Sequence, residues 1–207
     1  MWSTSWPEIA GFATGALCVW LVVRRNIWNF PIGIANNIVF WILFIQAGLY
    51  ADAWLQVVYL VLGALGWYWW LHGGHDRGAL VVRETPRAAW LGVGAFVLVA
   101  TGVVYALLTS HTDSSVPLGD AATTALSLGA QIMLNRKWIG NWWLWITADV
   151  LYIALYAHKG LYLTAVLYLG FLALCFLGLR QWRAAMGAQA APAPTGGPAP
   201  APAQVSV

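Results

Sequence analysis

The chain has 207 residues, of which 61% are hydrophobic and only 8% charged, against roughly 25% charged in an ordinary soluble domain. So few charges exclude a water-soluble surface, and the apolar residues lie in runs close to the ~20 residues that a helix needs to cross the hydrocarbon core of a bilayer. The formal net charge of +3 sits in short clusters between those runs, where it is a topology signal and not the footprint of a nucleic-acid partner.

Seven spans are predicted in chain order: Ile9 to Val23, Phe30 to Ile45, Trp54 to Leu71, Ala88 to Leu108, Leu118 to Leu134, Trp142 to Ala157, and Tyr162 to Leu179. The first follows Trp2, Pro7 and Glu8 and precedes Arg24 and Arg25. That is the reverse of the basic-then-apolar order of a secretory signal, so it is expected to be an uncleaved span. Arg24 and Arg25, then Arg77, Arg83 and Arg87, then Arg136 and Lys137, and finally Arg180 and Arg183 all fall at odd-to-even ends, and Lys159 stands alone on the other side. The positive-inside rule then puts the amino terminus outside and the carboxyl terminus in the cytoplasm. Residues 184–207 are rich in Ala, Pro and Gly and are expected to form a disordered cytoplasmic tail.

Laid against itself at an offset of 112 residues, the sequence repeats several uncommon positions without gaps. Glu8 falls on Asp120, Arg24 and Arg25 on Arg136 and Lys137, Asn29 on Asn141, Gly48-Leu49-Tyr50 on Gly160-Leu161-Tyr162, Gly66 on Gly178, and Trp70 on Trp182. A three-helix unit ends on the side opposite its start, so two copies share an orientation only if one more helix lies between them. The predicted fold is therefore an all-α membrane protein of seven transmembrane helices, two parallel three-helix repeats joined by a linker helix, as in SWEET-type transporters. Residues 1–87 form the first repeat with its loop, 88–108 the linker helix, and 109–183 the second repeat. Such an arrangement places a substrate near mid-membrane, between spans two and three on one side and six and seven on the other.

Polar side chains within spans are costly in hydrocarbon and are expected to face protein or a cavity. They are Asn36 and Asn37 in span two, Gln56 and Tyr59 in span three, Thr123, Thr124 and Gln131 in span five, Thr147 and Asp149 in span six, and Thr164 and Tyr168 in span seven. Interhelical hydrogen bonding, at about 1 kcal/mol each, explains any one of the amides or hydroxyls as well as binding does. Asp149 is the stronger candidate, because no lysine or arginine lies within any span to neutralise it. It must meet a cation, carry a proton, or accept several hydrogen bonds.

Of the 15 tryptophans, an interfacial belt accounts for many, including Trp28, Trp54, Trp90, Trp138 and Trp182. Trp142 and Trp145 differ, since the Trp-x-x-Trp spacing puts two indoles on one helix face beside Asn141 and ahead of Asp149. Aromatic walls suit a flat ring, and a cationic ring adds a cation-π attraction of ~1 to 2 kcal/mol per contact. Cys18 and Cys175 lie inside apolar runs, where packing is their expected role. The four histidines fall in loops or at span ends, so no metal or haem site is expected. Neither hydrolase nor phosphate-loop motifs occur, so no cofactor and no enzymatic activity are expected.

The segments NIWNFPIGIANN, GLYADAWLQVVYLVLGALGWYWW and NWWLWITADVLYIALYAHKGLYLTAVLYLGFLALCFLGLRQWR resemble the PnuC family of vitamin transporters. The resemblance runs from about Gly15 to Arg183 and weakens across span four. It implies a SWEET-like fold, a homotrimer in the bacterial inner membrane, and facilitated diffusion of nicotinamide riboside, thiamine or riboflavin, trapped inside by phosphorylation. The pair Trp142 and Trp145 preceded by Asn141 resembles the nicotinamide riboside branch; the riboflavin branch has an acidic residue ahead of the pair, and the thiamine branch stays open. Carried over by motif, Trp142, Trp145 and Asn141 are the first substrate-binding candidates, then Gln56, Tyr59, Asn36 and Asn37, with Asp149, Thr164 and Tyr168 from the polar inventory. A non-transporting receptor or assembly subunit, in which these groups only pack helices, is the competing class.

Overall fold

Each predicted apolar run forms the body of one helix. The structure, a computed structural model, describes residues 6–46, 50–112 and 116–190. Within them lie α1 (Trp6–Val23), α2 (Asn29–Gln46), α3 (Tyr50–His72), a single 3-10 turn (His75–Arg77), α4 (Arg87–His111), α5 (Pro117–Asn135), α6 (Asn141–His158) and α7 (Tyr162–Ala190). Trp2, Gly48, Leu49 and residues 191–207 lie outside the described residues. Residues 184–190, expected to belong to an irregular tail, continue α7 as helix. Arg180, Arg183 and the alanines there are good helix formers, and the first proline of the tail comes only at Pro192.

Among the described residues, four helices are long and apolar enough to cross a membrane: Asn29–Gln46, Ala53–His72, Arg87–His111 and Tyr162–Gln189. The apolar part of α1, Ala13–Val23, is shorter. The other two have a physical reason to be less apolar. Helix α5 buries Ala121, Thr123, Ala125, Ser127, Gly129 and Ala130 against other helices, so protein and not lipid is its surroundings, and small side chains let neighbours approach closely. Helix α6 carries Asn141, Thr147 and Asp149 among tryptophans and tyrosines.

Helices α2 and α3 pack together, as do α6 and α7, while α4 lies on α5 and α5 on α6. Helix α1 packs on α2, and contacts of α1 with α7 and of α3 with α5 close the bundle. At the end that carries most of the arginines, these contacts converge on a core of Val22, Val23, Phe30, Trp70, Trp142 and Trp182 with their neighbours. The Nε1 of Trp70 donates to the Leu134 carbonyl and the Nε1 of Trp182 to the Val22 carbonyl, both at 3.1 Å. Trp182, predicted for an interfacial belt, is thus fully buried; its indole N–H finds a carbonyl inside the protein and needs no headgroup region. The ring of Phe30 meets Trp70 edge-on at 5.0 Å, and Trp142 meets Trp182 edge-on at 5.4 Å. Gly66 and Gly178 make room for these rings, because a Cβ at Gly66 would run into Phe30 and Asn135, and one at Gly178 into Trp142.

The turns before α2 and α6 are built alike. Arg25 (φ 56°) and Lys137 (φ 50°) adopt left-handed backbone, which ends the preceding helix. Asn29 Nδ2 then donates to Asn26 O, and Asn141 Nδ2 to Trp138 O, each at 2.7 Å. The chain between α3 and α4 treats the two turns differently. It crosses only the second, where Arg83 N donates to Lys137 O (3.1 Å), Ile139 N to Arg83 O (3.0 Å), and Gly140 N to Thr85 Oγ1 (2.8 Å). Lys137 Nζ reaches back to Leu80 O at 2.6 Å. Leu80 and Val82 of this strap are buried in the tryptophan core.

Candidate functional site

The predicted site residues fall into three groups. Asn141, Trp142 and Trp145 open α6 at the arginine-bearing end. Asn141 is fully buried, Trp142 is 1% exposed, and Trp145 is half-buried against the core. The Trp142 ring is enclosed by Trp182 and by the face of α7 at Gly178, a tighter setting than the open cavity wall its spacing suggested. Asn141 uses its Nδ2 on the turn, but its Oδ1 has no partner, and neither has the Nε1 of Trp142 or of Trp138. A buried donor or acceptor without a partner costs about 1–3 kcal/mol, and three such atoms lie within five residues of sequence.

The second group lies nearer mid-helix and joins α3, α5, α6 and α7. Tyr59 lies beside Ser127 and Tyr152, and Tyr152 lies beside Thr123 as well. The Tyr168 ring packs on Tyr152 at 4.7 Å, on Tyr156 at 5.2 Å and on Phe171 at 5.6 Å. Asp149 is 5% exposed, and its Oδ2 accepts a hydrogen bond from Cys175 Sγ at 3.3 Å. Of the fates foreseen for this carboxyl, the structure supplies a thiol donor; among the described residues no ion pair reaches it. Cys175 therefore has a polar partner in addition to its packing role.

The third group is scattered. Asn36 is tied to α1, its Nδ2 donating to Thr14 Oγ1 at 2.6 Å and to Gly11 O at 3.4 Å. Asn37, Gln56 and Thr164 are half-buried on α2, α3 and α7, and the structure does not draw them into either cluster.

Sequence reasoning missed Tyr152, Tyr156 and Ser127. The tyrosine pair did carry a signal, since an i, i+4 spacing stacks two side chains on one helix face, and the rings stack at 5.8 Å. Ser127 carried none that separates it from a packing residue. Outside the bundle, the Lys137 ammonium has its pKa lowered to about 8, first by burial and then by the charge of Arg25, while the Leu80 carbonyl and the Trp70 ring face, 4.2 Å away, favour its charged form.

Residues 5–184 match the family described as nicotinamide mononucleotide transporter. The chain is 28% identical over 203 residues to the "Nicotinamide riboside transporter PnuC" of Escherichia coli (strain K12), an alignment covering 86% of this chain and 85% of that one. It is 25% identical over 181 residues to the "Riboflavin/roseoflavin transporter RibM" of Streptomyces davaonensis, covering 86% and 84%. A solved structure described as "Crystal structure of the Vitamin B3 transporter PnuC" superposes with a TM-score of 0.67 at 25% identity, over 89% of this chain and 83% of that one.

Proposed function

The chain belongs to the nicotinamide mononucleotide transporter family, and from that premise we propose that it takes up nicotinamide riboside, a precursor of NAD, across the bacterial inner membrane by facilitated diffusion. The observation that carries the substrate class is the unpartnered pair Asn141 Oδ1 and Trp142 Nε1 at the start of α6. An acceptor and a donor left idle beside indoles suit a ligand with a flat cationic ring, a carboxamide and ribose hydroxyls. Trp145 lies on the same face, and Tyr59, Asp149 and Tyr168 with Tyr152 extend the polar surface along the bundle. Asn36, Asn37, Gln56 and Thr164, which stand apart from both clusters, are assigned only a secondary role in this proposal. A riboflavin transporter among the relatives makes riboflavin the second reading, with thiamine a third.

Alternating access is the mechanism we infer, with two parallel three-helix repeats, α1 to α3 and α5 to α7, rocking about the site and α4 linking them. Residues 1–87, 88–108 and 109–183 are the corresponding units, and 184–207 the tail. Support comes from pairing at the 112-residue offset. Trp70 bonds Leu134 as Trp182 bonds Val22, Phe30 packs on Trp70 as Trp142 packs on Trp182, and α1 meets α7 as α5 meets α3. In this reading all seven helices span the bilayer, the amino terminus is outside, the arginine-bearing end is cytoplasmic, and the assembly is a homotrimer.

Uptake into proteoliposomes, run with labelled nicotinamide riboside, thiamine and riboflavin side by side, tests the proposal. Saturable entry of nicotinamide riboside alone, weakened tenfold or more by Trp145→Ala or Asn141→Ala, is expected. Saturable entry of a different vitamin overturns the substrate; no entry of any overturns the transporter reading.

A further inference from the structure

Helices α3 and α4 both pack on α5 but share no extensive contact with each other. A groove remains between them, with a volume of about 380 Å³. Leu62 of α3, Gly92, Val93 and Phe96 of α4, and Ile132 of α5 give it apolar walls, and Arg136 stands at its end. Helix α4 offers the bilayer strongly exposed apolar side chains on either side of these residues, Leu91 at 76% and Leu98 at 77%.

Arg136 is set for an anion. Its guanidinium lies 4.0 Å over the Trp69 ring, a contact that uses the face of the cation and leaves the in-plane N–H donors free for a bidentate oxyanion. Among the described residues no carboxylate pairs with it. Beside it, Trp138 also lines the groove, and its indole N–H is a buried donor with no acceptor.

We propose that the groove between α3 and α4 binds an anionic phospholipid, with its phosphate held by Arg136 and an acyl chain lying along Leu62, Gly92, Phe96 and Ile132. A free phosphate has no use for the apolar walls. A second copy of this chain offers this groove little counter-charge, since the acidic residues at this end are Asp76 and Glu84 in the loop between α3 and α4, so the proposed homotrimer is read as assembling through other faces. Basic pockets of this kind between membrane helices match anionic headgroups. The bound lipid wedges α3 apart from α4 and anchors the turn that carries Arg136, Lys137 and Trp138 into α6.

Native mass spectrometry of the full-length protein in detergent, titrated with phosphatidylglycerol and with phosphatidylethanolamine, tests this. Two variants separate headgroup from chain. Arg136→Gln removes the phosphate partner, and Gly92→Phe fills the slot at a position where an added Cβ meets nothing within 4 Å. Preferential retention of phosphatidylglycerol by the parent protein, with affinity reduced roughly tenfold or more in each variant, is the expected result. Because Gly92→Phe leaves the turn intact, it decides the matter even if Arg136→Gln fails to fold. Equal retention in Gly92→Phe overturns the proposal. So does displacement of the lipid by millimolar inorganic phosphate, which makes this a small-anion site. An oligomer that Gly92→Phe disrupts without any lipid adduct also overturns it, by placing a second copy in the groove.

Discussion

Trp70 and Trp182 stand with ring centroids 6.1 Å apart at the arginine-bearing end of the bundle, and each hydrogen-bonds a carbonyl that ends a helix from the far part of the chain. The acceptors are carbonyls of the last turns of α5 and α1, where each also accepts a turn N–H at 2.9 Å, Leu134 O from Lys137 N and Val22 O from Arg25 N. One residue type thus closes two helix ends and two long-range contacts. Changing either to Phe keeps most of the ring and removes one of the hydrogen bonds that the carbonyl accepts, leaving the turn N–H in place. Trp70→Phe and Trp182→Phe are each expected to lower stability by about 0.5–1.5 kcal/mol, the net worth of one hydrogen bond. Thermal melts in detergent check this, and an unchanged melting temperature for both argues against the bonds.

Space at Gly178 gives a second prediction. Because a Cβ there would run into the Trp142 ring, Gly178→Ala is expected to displace that ring and to cost about 1–3 kcal/mol, with weaker ligand binding. Gly170 lies two turns earlier on the same helix, with nothing within 4 Å of an added Cβ. Gly170→Ala is expected to be neutral or slightly stabilising. Equal tolerance at the two positions in a thermal-shift assay counts against the packing described for Trp142.

The third concerns Cys175, whose thiol donates to the buried Asp149 carboxyl. Cys175→Val removes the donor at similar volume and is expected to destabilise by about 1–3 kcal/mol, whereas Cys175→Ser restores a donor and recovers part of the loss. If valine and serine behave alike in chemical unfolding, the sulfur only packs.

Lys137 supplies a pH dependence. In the folded protein its pKa is lowered to about 8 from an ordinary value of 10.5. Between those values the unfolded chain holds a proton that the folded protein has released, so folding is favoured progressively as pH rises from about 8 towards 10.5. Below pH 8 the buried ammonium is charged and that gain is absent. Lys137→Met has no such group. The melting temperature of the parent protein relative to Lys137→Met is therefore expected to rise from pH 7.5 to pH 9.5, and a constant difference across that range contradicts the burial argument.

Much of this was legible in the sequence. Helix positions followed from apolar runs, because hydrocarbon leaves a spanning chain no other way to satisfy its backbone. The correspondence of Trp70 with Trp182, and of Asn29 with Asn141, was visible as spacing alone, and in the structure the members of each pair make matching hydrogen bonds. Asp149 stood out because a carboxyl among apolar residues demands a partner, although spacing did not say that Cys175, 26 residues on, would be that partner.

Tertiary structure decided the rest, and the reason is that hydropathy reports a residue's cost in lipid but not which neighbour removes it. Trp182 reads as an interfacial tryptophan until α1 brings the Val22 carbonyl to its Nε1. Trp142 reads as the wall of a cavity until Gly178 and Trp182 enclose it. Lys137 reads as one more loop charge until the strap from α3 to α4 covers it with Leu80. For Trp182 and Lys137 the sequence by itself determined what the side chain needed and the packing of distant segments determined what met that need, whereas packing encloses the Trp142 ring and leaves its Nε1 without a partner.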